Sequence, residues 1–200
     1  GKARECRRLS RESRVTVAMA ATGDRSYYYA SIYAIKSLLR HTPFSLYLVS
    51  DSVPEQPYFD PSRVTVSRAV PHSEQLRGFF TKFQALGGAA GDSAASAVIL
   101  MDVDALFVRP TDGDDVLSAL NGAAFALHEQ SGIVGTTMTR ADFFDYFTAV
   151  ALPVIDPTAL PEHFPGFRYW NSGVVVASPD AASELVNFAL NRFLVDPRRH

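Results

Sequence analysis

Several features that would assign this chain to a common class are missing from its sequence. It holds a single cysteine, Cys6, so an internal disulfide is excluded. No apolar run is long enough to cross a bilayer, and no signal-peptide pattern opens the chain. The formal net charge is only -2, so no global field draws the protein to nucleic acid or to anionic membrane. We therefore expect no nucleic-acid partner and no transmembrane segment in this chain.

Length and composition fit an ordinary globular domain. The 200 residues suit one large domain, or one domain plus a fragment of another, and the 47% hydrophobic content supplies a core. Residues 1–13 are rich in arginine. We interpret them as a basic N-terminal extension, either a tether toward phosphates or lipid head groups or a solvated, frayed segment. Residues 14–200 form the predicted domain.

Apolar runs alternate with helical periodicity along this domain. The strands are predicted at 15–20, 44–50, 63–67, 97–101, 122–127 and 170–178. The helices are predicted at 26–41, 74–86, 111–120, 139–150 and after Ser178, with 151–169 as a loop. In the first helix Tyr28, Ile32, Ile35 and Leu39 form the expected apolar stripe, and the second helix is expected to end at three glycines, Gly87, Gly88 and Gly91. This alternation predicts an α/β fold with a mainly parallel sheet.

The strongest chemical signal is a pair of aspartates that ends the most apolar run. Residues 97–101 are typical of a strand buried on both faces, and Asp102 and Asp104 follow directly. Unpaired buried carboxylates are costly, and open α/β sheets bind ligands beyond the carboxyl ends of their strands. Because alternate residues of a strand point the same way, both carboxylates are expected to converge on one Mg²⁺ or Mn²⁺ ion. The alternative is a pair of loop aspartates that cap the next element.

Three other segments carry weaker signals. Thr22-Gly23-Asp24 lies between a strand and a helix, where backbone amides can meet a phosphate or a nucleobase edge. Lys82 either neutralises a phosphate or is a surface lysine whose stem covers apolar side chains. Asn171-Ser172-Gly173 either presents hydrogen-bonding side chains to a ligand or is a polar strand start at a bulge.

Together these segments resemble the glycogenin-like retaining glycosyltransferases, glycosyltransferase family 8, which have the A-type nucleotide-sugar fold. The first strand and turn, residues 17–24, with Tyr27 following, resemble the family's nucleoside-binding segment, and Phe80-Thr81-Lys82-Phe83 resembles its lysine motif. Residues 100–106 resemble its Asp-x-Asp motif, and residues 170–174 its Asn-Ser-Gly motif. The four motifs follow the family's order, and the resemblance covers about residues 14–194. The resemblance implies a Rossmann-like nucleotide-diphospho-sugar transferase fold.

The resemblance also implies a donor site. Asp102 and Asp104 would hold Mn²⁺, or Mg²⁺, against the diphosphate of a UDP-sugar. Thr22 and Tyr27 would contact the uridine. The remaining residues expected on the cofactor side are Gly23, Asp24, Lys82 and Val103, the last in place of an alanine frequent in the family.

The implied reaction moves a hexose from the UDP-sugar to an acceptor hydroxyl with retention of anomeric configuration. Its expected catalytic residues are Lys82, which would bind donor phosphates or sugar hydroxyls, and Asn171 and Ser172, which would line the sugar and acceptor side. The acceptor could be a glycan, a protein or a small molecule. The compartment stays open between the cytoplasm and the Golgi lumen.

The chain departs from the family in two places. The interval from Asp104 to Asn171 is longer than in glycogenin, so we interpret 128–169 as an insertion that builds a different acceptor surface. The family's third metal ligand, a histidine, and an Asp-Gln pair beyond the Asn-Ser-Gly motif have no recognisable copy before His200. We therefore expect the transferase domain to lack its C-terminal part.

Two other functions remain open from the sequence. A phosphatase of the haloacid dehalogenase type also carries Asp-x-Asp after an apolar strand, although it expects a Gly-Thr-like turn where Ala105-Leu106-Phe107 stands. A non-catalytic nucleotide-sugar-binding module would fit the missing later motifs. Hydrolysis of a UDP-sugar in the presence of manganese would distinguish an enzyme from such a module.

Overall fold

A computed structural model describes residues 14–52, 59–70, 77–129, 137–139, 162–165 and 170–194. The strands are β1 Val15–Ala21, β2 Ser45–Ser50, β3 Val64–Arg68, β4 Ala97–Met101, β5 Phe125–Glu129, β6 Thr137–Thr139, β7 His163–Pro165 and β8 Trp170–Ala177. The helices are α1 Arg25–His41, α2 Arg77–Ala90, α3 Gly113–Leu120 and α4 Pro179–Leu194. The chain divides into two compact units, 1–126 with 173–186, and 127–172 with 187–200.

A six-stranded sheet has the order β3-β2-β1-β4-β8-β5. The first four of these strands run parallel, and β8 pairs antiparallel with β4. Parallel strands need crossover connections, which α1 and α2 supply between β1 and β2 and between β3 and β4. The predicted α/β class with a mainly parallel sheet is confirmed.

The core lies on the central strands because these carry the most apolar runs. All five residues of β4 are buried, and so are six of the seven residues of β1. Val103, Val116 and Leu120 extend the same hydrophobic cluster beyond the end of β4. Phe44 and Phe107 meet edge to face, with 5.9 Å between their ring centroids. This core fixes the strand ends on which the candidate site is built.

Helix α1 is rotated relative to the predicted apolar stripe. Its buried residues are Ser31, Ala34, Ile35 and Leu38, whereas only Ile35 of the predicted four is buried. The small side chains of Ser31 and Ala34 let the helix pack closely against the elements beside it. The Ser31 hydroxyl donates to the Tyr28 carbonyl at 2.7 Å, so it is buried without losing a hydrogen-bond partner.

Helix α2 continues through Gly87 and Gly88, and of the three glycines expected to end it only Gly91 follows its last residue. It runs to Ala90 because Gly87 and Gly88 serve close packing rather than termination. A Cβ atom built at Gly88 would lie 2.2 Å from Cε1 of Tyr47, on β2, and one at Gly87 would lie 3.3 Å from a methyl of Val186. The absence of a side chain therefore lets α2 approach the sheet.

Helix α3 begins at a reciprocal cap in which Asp112 accepts from the Asp115 backbone and Asp115 accepts from the Asp112 backbone. It ends at Leu120, and its C-cap residue, Asn121, has a left-handed φ of 46°. The following strand therefore starts at Phe125, later than predicted.

The second unit contains the two-stranded antiparallel sheet of β6 and β7. Strand β7 corrects the prediction that 151–169 is all loop. Thr139 ends β6, and the rest of the helix predicted at 139–150 lies outside the described residues. Of the helices that the structure describes, none combines the length and the apolar character that a bilayer span requires.

Candidate functional site

Three parallel strands end side by side and bring chemically distinctive residues together. Strand β1 pairs with β2 on one side and with β4 on the other. Residues 22–24 follow β1, residues 51–52 follow β2, and residues 102–105 follow β4. We call these three segments the carboxyl edge. Because parallel strands all point their carboxyl ends to the same side, this edge is where an open α/β sheet binds its ligands.

The turn after β1 is held in a conformation that favours glycine. Gly23 has a φ of +94°, and its backbone N–H donates to Asp51 Oδ2 at 2.9 Å. Ser50 lies at the end of β2, where its hydroxyl oxygen is 2.9 Å from the carbonyl oxygens of both Ala21 and Ser52 and donates its one proton to one of them. The ends of β1 and β2 are therefore fastened to each other.

Asp24 begins helix α1 as its N-cap and accepts from the Ser26 backbone N–H at 2.7 Å. Hydrogen bonds from the backbone and then the side chain of Ser26 hold the pKa of the Asp24 carboxyl below its usual range. A lowered pKa means that the cap is ionised at neutral pH, and its contribution is lost only as the pH falls through that lowered value. Its main visible role is therefore to start the helix.

A cavity of about 180 Å³ opens at this edge. Its lining residues are Ala21, Gly23, Asp24, Arg25, Tyr28, Tyr29, Asp51 and Ser52. Tyr27 does not line it, and 54% of that residue is exposed. The aromatic side chains beside the cavity are the next two tyrosines, so the proposed contact between Tyr27 and a uridine stays a prediction.

The lysine motif reaches the carboxyl edge from helix α2. Thr81 is buried, and its hydroxyl lies 3.2 Å from the hydroxyl of Thr22. The next residue, Lys82, places its Nζ atom 2.5 Å from Oδ1 of Asp102. Three of the four sequence motifs thus meet within one unit of the fold, although they are separated by about 60 and 20 residues in the chain.

Asp102 stands where strand, turn and helix meet. Its backbone N–H donates to the Gly173 carbonyl on β8 at 2.7 Å, and its own carbonyl accepts from Ala105 at 3.1 Å. Its Oδ1 atom is shielded from solvent and accepts no hydrogen bond of good geometry from any residue that the structure describes. The 2.5 Å contact with Lys82 is therefore an ion pair without a well-directed hydrogen bond.

The two aspartates do not share a strand. Strand β4 ends at Met101, and the Ala105-to-Asp102 hydrogen bond closes a turn over 102–105. Strand alternation therefore does not orient the two carboxylates, and the prediction that it points both of them the same way is wrong. Asp104 is exposed, whereas Val103 is buried in the core cluster. Only the backbone of Val103 is left to face a ligand.

The chemistry of these residues fits a divalent cation. Asp102 offers a carboxylate oxygen that has little solvent around it, and Asp104 offers an exposed carboxylate on the same turn. Within the described ranges, no group of three or more His, Cys, Asp or Glu residues could hold a metal. Mg²⁺ and related ions commonly bind through one or two carboxylates together with substrate phosphates and water. The aspartate pair suits that kind of site.

The Asn-Ser-Gly motif falls at the start of β8. Gly173 accepts the hydrogen bond from Asp102, so the end of the motif is tied to the carboxyl edge by its backbone. Asn171 and Ser172 belong to the second unit, and their side chains lie outside the described part of the structure. Their assignment to the sugar and acceptor side stays a prediction.

Asp51 is the site residue that sequence reasoning missed. It follows the buried run at the end of β2, the same position that drew attention to Asp102 after β4. The rule that ligands bind beyond the carboxyl ends of parallel strands would have identified it.

The six-stranded sheet and its helices have the α/β fold of nucleotide-diphospho-sugar transferases. Two solved structures are similar to this chain. The chain is similar to 4-diphosphocytidyl-2C-methyl-D-erythritol synthase from Anaerococcus prevotii, with a TM-score of 0.53, 11% identity, and coverage of 94% of this chain and 79% of that one. It is also similar to galactosyltransferase LgtC in complex with donor and acceptor sugar analogues, with a TM-score of 0.51, 14% identity, and coverage of 85% and 59%.

No family model matches the chain, and no curated protein does. At 11% and 14% identity, the likeness to the two solved structures establishes the fold alone. The chain spans only 59% of the length of LgtC. The A-type nucleotide-sugar fold is therefore supported, and the resemblance to glycosyltransferase family 8 in particular stays a prediction.

Proposed function

We propose that this protein is a glycosyltransferase that binds a UDP-sugar through a divalent cation, Mn²⁺ or Mg²⁺, and passes a hexose to an acceptor hydroxyl. The observation that carries the proposal is the meeting of Lys82 with Asp102 at the carboxyl edge, beside the turn after β1. A cationic side chain and a carboxylate at the end of a parallel sheet are the pair that a metal-bound diphosphate needs.

Each residue has a role in the proposed site. Asp102 and Asp104 bind the cation, which when bound stabilises negative charge on the leaving diphosphate. Lys82 stabilises the same charge where it develops. The cavity beside Gly23 and Asp51 receives the nucleoside, whose base can stack on an exposed tyrosine ring.

The particular sugar chemistry rests on the sequence resemblance. Retention of anomeric configuration and the UDP-hexose donor follow from the likeness of the four motifs to family 8. The LgtC structure, which holds donor and acceptor sugar analogues, supports a sugar-transfer function on this fold. Asn171 and Ser172 complete the proposal on the acceptor side.

The test is calorimetric titration of the protein with UDP, with manganese present and then with EDTA. We expect affinity to fall by about tenfold or more with EDTA, because the carboxylates hold the diphosphate only through the ion. Asp104→Ala should abolish the difference and leave the thermal melt unchanged, since Asp104 is exposed. Glu184→Gln, an exposed carboxylate on α4, is the matched control and should behave as the wild type. Equal UDP affinity with and without metal would contradict the proposal.

A second assay distinguishes the transferase from its alternatives. The enzyme should slowly hydrolyse a UDP-sugar when manganese is present and no acceptor is added, whereas a non-catalytic binding module should not. A phosphatase of the haloacid dehalogenase type would instead release phosphate from a simple phosphate monoester, with Asp102 as its nucleophile.

A further inference from the structure

The Asp102 carboxylate already has a cation beside it, the ammonium of Lys82. Nζ and Oδ1 are 2.5 Å apart, and the two side chains are 36% and 28% exposed. Oδ1 itself is shielded from solvent and has no hydrogen bond of good geometry from the described residues. The ammonium is therefore what offsets the cost of keeping this carboxylate oxygen away from water.

A divalent cation that bound Asp102 would have to coordinate the carboxylate that the Lys82 ammonium already contacts. Two cations close to one carboxylate repel each other strongly where solvent screening is partial. Either the ammonium moves or the divalent cation binds weakly. Lysine is suited to such a movement, because its charge lies at the end of a flexible four-carbon stem.

We infer that Lys82 competes with the divalent cation for Asp102 and is drawn away by the diphosphate of the donor. This inference rests on the proposed function and adds to it that the metal and the nucleoside diphosphate depend on each other for tight binding. Metal alone binds poorly because it must displace the ammonium from Oδ1. Metal together with a nucleoside diphosphate binds well, because the ammonium exchanges one anionic partner for another. The lysine thus couples the two ligands, and by linkage each raises the affinity of the site for the other.

Removal of Lys82 distinguishes competition with the metal from a simple phosphate contact, because the two roles predict different changes in the affinity for metal alone. If Lys82 only binds phosphate, its removal weakens UDP binding and leaves the affinity for metal alone unchanged. If Lys82 competes with the metal, its removal also strengthens the binding of metal alone. The same substitution then moves two affinities in opposite directions.

The experiment titrates the protein with Mn²⁺ and follows free Mn²⁺ by electron paramagnetic resonance, without and with UDP. Lys82→Met should bind Mn²⁺ alone about three- to tenfold more tightly than the wild type, the scale of a partly buried ion pair. Lys82→Arg keeps the positive charge, so its affinity for Mn²⁺ alone should be close to that of the wild type. Lys36→Met removes an exposed lysine from α1 and should change nothing. Thermal melts establish that each variant is folded, and Lys82→Gln replaces Lys82→Met if that variant is not.

Each outcome has one meaning. Tighter Mn²⁺ binding by Lys82→Met, together with weaker UDP binding in the presence of manganese, supports the competition. Equal or weaker Mn²⁺ binding by that variant, or no measurable Mn²⁺ binding to either protein, overturns it. If the wild type binds UDP equally well in manganese and in EDTA, the proposed function fails instead, so the two failures are distinguishable.

Discussion

At the scale of single residues, the candidate site depends on side chains that are held by more than one element. Asp102 is tied to β8 by its backbone, to its own turn by its carbonyl, and to α2 by its carboxylate. Asp51 is tied to the turn after β1 through the Gly23 amide. Fixing polar groups in this way reduces the ordering that a ligand must otherwise impose on them.

Sequence reasoning found Asp102 and Lys82 but not their pairing. Each is visible as a motif, and the motifs are about 20 residues apart in the chain. Their contact depends on how closely α2 packs against the sheet, which residue spacing does not contain. The same reasoning placed Asp104 on a strand, whereas the turn that exposes it is formed by a backbone hydrogen bond with no sequence signature strong enough to predict it.

Gly23 provides a test at this scale. Gly23→Ala should lower the free energy of unfolding by about 1 kcal/mol, because its φ of +94° strains a residue with a Cβ atom. It should also weaken UDP binding in manganese, since the turn carries the amide that Asp51 holds. Urea unfolding and calorimetry measure the two effects. Gly91→Ala is the control, because a Cβ there has no neighbour closer than 3.4 Å. If Gly23→Ala changed neither the free energy of unfolding nor the UDP affinity, the turn would accept a residue with a Cβ atom without strain, and this prediction would be wrong.

At the scale of elements, helix α2 brings the lysine motif to the carboxyl edge. Its Thr81 and Lys82 contact the ends of β1 and β4, while Gly88 lies over Tyr47 of β2. The strands were predicted well because buried parallel strands are continuous apolar runs. The end of α2 was predicted wrongly because glycine usually marks termination, and here the need for close packing is stronger.

Gly88→Ala tests that explanation. Alanine would favour an isolated helix by about 1 kcal/mol over glycine, so a packing-free site would be stabilised. We expect net destabilisation of about 1–3 kcal/mol instead, because the new methyl would lie 2.2 Å from the Tyr47 ring. The measurement is urea unfolding of the four proteins of a double-mutant cycle with Tyr47→Ala. In the Tyr47→Ala background the substitution should become neutral or stabilising. A Gly88→Ala variant more stable than the wild type would contradict the close packing.

At the scale of the whole molecule, the order of the strands creates the site. Because β1 lies between β2 and β4, the turn after β1 contacts Asp51 beyond β2 directly, and helix α2 contacts both that turn, through Thr81, and Asp102 beyond β4, through Lys82. The sequence predicted the class of fold but not this order, since the neighbours of a strand depend on its crossovers. The acceptor surface predicted at 128–169 and the missing third metal ligand stay predictions, as do Asn171 and Ser172.

The most direct test of the central claim locates the metal on the folded protein. Isotope-labelled protein is saturated with UDP, a small amount of Mn²⁺ is added, and the paramagnetic broadening of each amide signal is compared with a Mg²⁺ control. We expect the strongest broadening at Gly23 and Asp104, which belong to the carboxyl edge, and at Lys82, which contacts it. We expect the weakest at Val15 and Ala97, which pair at the opposite ends of β1 and β4. Broadening centred on Val15 and Ala97, or broadening that does not depend on UDP, would contradict the claim.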